Sequence, residues 1–392
     1  MSRPKNPDSC PLVIDLSRTV TVKCFHVVGE VGFATRRDDI RAIVQLGIEQ
    51  RGRLTAPDLC DHLLGGKPPV VGVRLLEMCE RLGLVEWDGP PRRRDRGALL
   101  TDEGREVAES GDVFVPERGT WTIWVTDDPL VPPEERLLRL DPFKEPHAAH
   151  DLKKDPSRAE RNIVQLPGWI EDACDVQGVP CWGDKRAVSN IELEPKAEQV
   201  EPGARLTLTL RIVPGEPPAV RLHGDVAERR NDRVLPDAPA PGFEEVWRAS
   251  LGPQAAAWNG RSLAVRFADL DDTGRETLEQ TMRFPGVSLP SHGAFGAFDV
   301  RRVPVRPTSD ADASAWANWL LVHGTHSYVR AADYRRRCDE VRARFEGYRV
   351  AMKSQAELAA AVRLANGERP GRAYWHLQAP LDWDLEPRDG RL

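Results

Sequence analysis

Between residues 36 and 112 the apolar and polar positions fall into a readable order. Ile40, Ile43, Val44, Leu46 and Gly47 recur at intervals of three and four, the spacing of one face of a helix. Thr55 precedes Ala56-Pro57-Asp58, which places a capping hydroxyl, an early proline and an acid at the start of a second helix. That helix ends at Gly65-Gly66. A third begins near Pro69, where the fixed φ of proline suits a first turn. It is expected to direct Val73, Leu76 and Cys79 inward and to stop at Leu82-Gly83, where glycine admits a left-handed residue. The period then drops to two. Leu84-Val85-Glu86-Trp87 predicts a strand, Asp88-Gly89-Pro90-Pro91 a break, Arg92-Arg93-Arg94-Asp95-Arg96 a charged tip, and Gly97-Ala98-Leu99-Leu100 a return strand. Thr101 caps a last helix, with Asp102 and Glu103 at its positive end.

The flanking regions read differently. Residues 1–35 contain a β-branched run from Val20 to Val28, a strand closed by Gly29 and Gly32 that must pair elsewhere in the chain. His26 in its middle reads as a half-buried strand residue. Residues 113–185 open on a second strand, Thr120 to Thr126, and continue as a connector rich in proline and charge. Leu137, Leu138, Leu140 and Phe143 require that connector to wrap on a surface. Residues 186–306 form a β-rich, sandwich- or barrel-like middle in which Ala204 to Ile212 alternates strictly. Glu244 to Trp247 there fits either a short helix or a strand. Residues 307–392 are helical, with Ser354 and Glu357 as a capping box and an aromatic tail from Tyr374 to Leu385. Three aromatics so close together call for docking on a partner or on the body. The expected class is therefore α+β and multidomain.

Three helices, a hairpin with an arginine tip and a closing helix resemble a winged helix. The phrases LLEMCERLGLVEW and ALLTDEGREVA are similar to those of MarR- and ArsR-type bacterial DNA-binding domains. The resemblance covers residues 36–112, about a fifth of the chain. It implies that Pro69 to Leu82 is a recognition helix exposing Lys67, Arg74, Glu77 and Arg81. It also implies that Arg92, Arg93, Arg94 and Arg96 lie along phosphates or reach into a minor groove. Cys79 departs from the family's usual leucine, and a buried free cysteine packs as a small hydrophobe.

Charge narrows this expectation. The whole chain carries a formal net charge of −6, so any polyanion must be met by a local patch. Residues 36–112 hold 13 Lys and Arg against 15 Asp and Glu, a net −2. Phosphate neutralisation supplies most nucleic-acid affinity. Positive charge is focused on the tip, while Glu77 and Glu80 sit on the third helix. The same module used only for protein docking thus stands beside nucleic-acid contact.

Forty per cent apolar and 30% charged residues describe a soluble chain of two or three domains. No window reaches the 18 or more apolar residues of a spanning helix, and MSRPKNPDSC is not a signal pattern. A cytoplasm is the expected compartment, and abundant Arg, Ala and Pro point to a GC-rich bacterial genome. Seven scattered cysteines without a Cys-x-x-Cys pair imply neither a disulfide framework nor zinc.

Phosphate-loop, Gly-x-Ser-x-Gly and His-Glu-x-x-His signatures are absent. His323 and His326 share a three-residue spacing, as do His147 and His150, but both read as ordinary histidines. His292 in SHGAFGAFDV reads as part of a tight turn. Arg335 to Arg337, with Arg342 and Arg344, alternate with acids as a solvated helix does. No metal, cofactor or catalytic residue is assigned. The expected function is a non-enzymatic nucleic-acid-binding or adaptor subunit of a bacterial multi-protein DNA-processing machine, with antiphage defence as one setting. Its partners would be DNA and a larger protein such as a helicase or nuclease. A winged-helix transcriptional regulator and an enzyme with an unrecognised site in residues 174–300 are the alternatives.

Overall fold

A computed structural model describes residues 12–89, 96–143, 162–175, 178–179, 188–365 and 371–383. Helices and strands are mixed throughout, and the strands fall into several sheets. The chain divides into two compact units. One comprises Arg18–Thr209 and Val220–Pro239; the other takes the chain up to Ser17, Leu210–Ala219 and everything from Ala240 onward.

In the first unit, β2 (Lys23–Arg36) and β6 (Asp112–Val125) pair antiparallel along their whole lengths, from Lys23↔Val125 to Arg36↔Asp112. The strand end expected at Gly29 and Gly32 does not occur: both glycines lie inside β2, and Gly32 faces Pro116 of β6. β7 (Leu137–Pro142) pairs with β6, and β9 (Val188–Val200) pairs with β2 and with β8 (Ile163–Gln165). The sheet order is β7-β6-β2-β9-β8. Alternate residues of β2 and β6, among them Phe25, Val27, Phe33, Trp121 and Ile123, build one core against α5 (Trp169–Cys174). Leu137, Leu138 and Leu140 are buried as required, but in a sheet strand and not in a connector. At Gly29 the Glu192 carbonyl comes so close that a Cβ would meet it at 2.4 Å. Trp121 Nε1 donates to the Gly29 carbonyl at 3.1 Å. The glycine there serves a close crossing of strands.

Residues 37–111 run between the far ends of β2 and β6. They fold as α1 (Asp38–Glu49), β3 (Arg53–Thr55), α2 (Ala56–His62), α3 (Pro69–Arg81), β4 (Val85–Trp87), β5 (Gly97–Leu100) and α4 (Asp102–Ser110). The starts of α2 and α4 follow from the chain itself. Thr55 Oγ1 accepts from the Asp58 amide while Asp58 Oδ2 accepts from the Thr55 amide, a reciprocal capping box. Thr101 Oγ1 accepts from the Gly104 amide at 3.0 Å. Gly83 and Gly111, with φ of 72° and 79°, close α3 and α4 in the left-handed region. Ile40, Val44, Leu59, Leu76 and Cys79 meet over β3-β5-β4, and Val113 at the start of β6 completes this core.

One expectation along α3 is corrected. Val73 is 36% exposed, and the buried positions are Gly72, Leu76 and Cys79. A Cβ on Gly72 would lie 2.5 Å from the Ala56 carbonyl oxygen. The backbones of α2 and α3 approach too closely for any side chain, so hydrophobicity alone picks the wrong neighbour.

A four-stranded sheet has the order β1-β10-β11-β12, with β1 (Ile14–Val20), β10 (Ala204–Ile212), β11 (Ala219–Val226) and β12 (Arg229–Leu235). The strands expected between 186 and 306 are thus shared among several sheets. In the second unit, β13 (Leu263–Val265) runs parallel and β14 (Glu279–Phe284) antiparallel to β17 (Phe298–Pro307). β15 (Val287–Leu289) pairs with β16 (Gly293–Phe295). Glu244 to Trp247, left open between helix and strand, lies in helix α6 (Phe243–Leu251); α7 (Asp272–Thr277) is a short helix. The end is helical: α8 (Asp310–His323), α9 (Ala331–Arg344), α10 (Gln355–Ala365) and α11 (Arg372–Trp383). The Nε2 amide of buried Gln355 donates to the carbonyls of Val329 and Leu377, each at 2.9 Å. Leu377 and Ala379 of α11 are buried, whereas Trp375 and Trp383 are 54% and 69% exposed.

Gly72→Ala should lower stability by about 1–3 kcal/mol by forcing α2 from α3, read as a fall in the urea midpoint. Burial raises the thiols of Cys24 and Cys174 from 9.0 to about 12 and that of Cys79 to about 11. The unfolded chain ionises these groups near 9 while the native one does not. Their stabilising contribution should be whole below pH 9 and be lost as pH rises toward 12, seen as a steady fall in Tm.

Candidate nucleic-acid interface

The cations of residues 36–112 divide into those already engaged and those facing water. Arg36 pairs with Asp38 at 3.3 Å and Arg37 with Asp39 at 2.8 Å. The Arg37 guanidinium holds the Asp39 carboxyl down to about 2. Arg41 donates to the carbonyls of Ala108 and Glu109 at the last turn of α4, where the helix dipole favours a cation. Arg105 bonds Asp102 one turn back. Arg53 Nε donates to Asp88 Oδ2 at 2.7 Å, and the other oxygen of Asp88 accepts from the Gly97 amide at 2.9 Å. The last pair ties β3 to the stem of the β4–β5 hairpin.

Lys67, Arg74 and Arg81 are placed otherwise. They lie before, midway along and at the end of α3, all exposed, and among the described residues none makes an ion pair. Arg81 Nε reaches only the Glu77 carbonyl, at 3.3 Å. The resemblance implies this exposure. It missed what stands between them: Val70 is 58% exposed and Val73 36%, and Leu63, at the end of α2, is 42% exposed. Of these, only Val73 is expected in the interior from its apolar spacing.

Of the hairpin arginines, Arg92, Arg93 and Arg94 lie outside the described residues. Arg96 is half-buried, its guanidinium carbon 3.9 Å from the centroid of the Trp87 ring. Trp87 Nε1 in turn donates to Glu80 Oε2 of α3 at 2.7 Å. These residues border a cleft of about 680 Å³ that also receives Glu86, Glu103 and Asn190. Nothing in composition marked Trp87 or Glu80. The available signal was an indole in a strand beginning just after a helix that ends in a carboxylate.

Other candidates are accounted for locally. Arg336 and Arg342 pair with Asp333 and Asp339 on α9, and Arg337 and Arg344 donate to carbonyls. His323 stacks on Trp319 at 4.5 Å and lies 3.7 Å from Glu276; the His326 ring is 6.4 Å away. His292 is 3.6 Å from Glu245. His147 and His150 fall outside the described residues. Among the described residues no group of three or more His, Cys, Asp or Glu is arranged to hold a metal, and no helix is long and apolar enough to cross a membrane.

Compared with protein-family models, curated proteins and solved structures, the chain matches none. Geometry alone has to carry the functional reading.

Asp88→Ala removes an acceptor from both Arg53 and the Gly97 amide. It should lower stability by about 1–2 kcal/mol and speed amide exchange at Gly97, whereas Asp88→Asn should retain part of the protection.

Proposed function

We propose that residues 36–112 are a winged-helix module that binds nucleic acid through α3, within a non-enzymatic adaptor subunit of a bacterial DNA-processing assembly. The observation that carries this reading is the distribution of cations. Arg36, Arg37, Arg53 and Arg105 are paired with carboxylates and Arg41 with carbonyls, while Lys67 just before α3, Arg74 and Arg81 on it, and Arg51 after α1 are exposed and, among the described residues, outside any ion pair. Each such pair cancels one charge of either sign and leaves the net at −2, so what favours α3 is the placing of three exposed cations at one helix, with Glu77 between two of them. Partners in this reading are a polyanion at α3 and a larger protein at the remainder of the chain.

A second reading rests on the same face. Val70, Val73 and Leu63 offer exposed apolar surface beside Arg74 and Glu77, a mixture that also suits a protein partner.

Changing Lys67, Arg74 and Arg81 together to Ala should weaken binding of a short labelled duplex by at least about tenfold. The salt slope should fall by about two to three, since each lost phosphate contact removes roughly one. Fluorescence anisotropy across a salt series measures both. Unchanged affinity would refute nucleic-acid binding at α3; loss of a co-purifying protein on Val70→Asp would then favour docking. Poor competition by random duplex would instead indicate a sequence-reading regulator.

A further inference from the structure

We infer that Glu80, Trp87 and Arg96 form a positioning bridge that locks the β4–β5 hairpin to the end of α3, and that Arg96 serves this bridge and not a phosphate. The inference rests on the nucleic-acid reading of α3 and deepens it by separating the residues that touch the ligand from those that hold the surface in shape.

Three observations on different atoms converge. Glu80 occupies the last turn of α3, and its carboxylate accepts the Trp87 indole N–H at 2.7 Å. A bond to a charged acceptor is about twice as strong as a neutral one. Trp87 ends β4 and packs in part against the core of the module. Arg96, across the hairpin mouth, lays its guanidinium over the same indole at 3.9 Å, well within the range of cation–π attraction. Its buried Nε has no hydrogen-bond acceptor among the described residues. The opposite side of the stem has its own tie, Arg53 to Asp88 to the Gly97 amide. The hairpin is therefore held from two sides: to β3 by Asp88 and to α3 by Trp87.

This arrangement changes what each arginine is for. A guanidinium stacked on an indole and flanked by Glu80, Glu86 and Glu103 around one cleft is a poor phosphate ligand, because the nearby carboxylates repel a polyanion. It is well placed to hold β5 over β4, and through Trp87 to set the hairpin's angle against the helix that carries Arg74 and Arg81. A helix and a hairpin fixed to one another present a single surface, and such preorganisation raises affinity by reducing the ordering required on binding.

Glu80→Ala and Glu80→Gln remove the same charge, but only Gln keeps an acceptor for the indole. Full-length variants would be compared by amide exchange over residues 84–89 and 96–101, and by anisotropy with a labelled duplex across a salt series. Glu80→Ala should exchange faster than Glu80→Gln and bind about three- to tenfold more weakly, the range of one net hydrogen bond, at an unchanged salt slope. Arg96→Lys, which retains charge but stacks less well, should behave like Glu80→Ala. Identical exchange and affinity in the two Glu80 variants would overturn the bridge. So would an Arg96→Lys variant that matches wild type beside an Arg96→Ala variant whose salt slope falls by about one, the mark of a phosphate contact. If the wild-type protein binds no duplex, the nucleic-acid reading fails, and the exchange comparison alone then decides whether Glu80 positions the hairpin.

Discussion

The antiparallel ladder between β2 and β6 is the constraint on which the first unit depends. It runs without interruption from Lys23↔Val125 to Arg36↔Asp112. At about 3.3 Å per residue it spans roughly 45 Å. A pairing that joins residues so distant in sequence carries a large loop-closure entropy, which the intervening chain offsets by folding on its own core. The ladder's last pair is continued by the Arg37 amide, which donates to the Gly111 carbonyl at 3.0 Å. Both ends of the helical module are thereby brought together where it begins and ends.

That arrangement explains why the module has a complete interior of its own. Its core closes over Leu54, Leu76, Cys79 and Ala98 and borrows only Val113, with partial help from Val115, out of the strand that leaves it. The ladder supplies attachment, and the helices supply stability. Surface charge is arranged on the same principle. Short-range pairs settle most of the arginines near the ladder and on α1 and α4, while Arg51, Lys67, Arg74 and Arg81 stay exposed.

Much of the local structure was legible because local chemistry decides it. Thr55 with Asp58, Thr101 before Asp102, and Gly83 after α3 each act within three or four residues and set the starts of α2 and α4 and the end of α3 as the chain implies, although α2 stops at His62, short of Gly65-Gly66. Legibility failed where a distant backbone sets the answer. Val73 turned outward because Ala56 comes against Gly72, which no period in α3 reveals. β2 runs on through Gly29 and Gly32 because β6 pairs with it there, and Leu137 to Leu140 join a sheet because β7 pairs with β6. At the candidate interface, the exposure of Lys67, Arg74 and Arg81 is what the resemblance implies and not a reading of spacing. The stack of Arg96 on Trp87 was not legible, since it requires two strands and a helix end to meet.

Because β2 and β6 remain paired up to the residues flanking α1 and α4, the ribbon would close as well over a tight turn as over a whole folded module. The chain is thus built like a handle with a head. The grip lies in the handle's own pairing, and the chemistry of the head is set by the residues between Arg37 and Gly111.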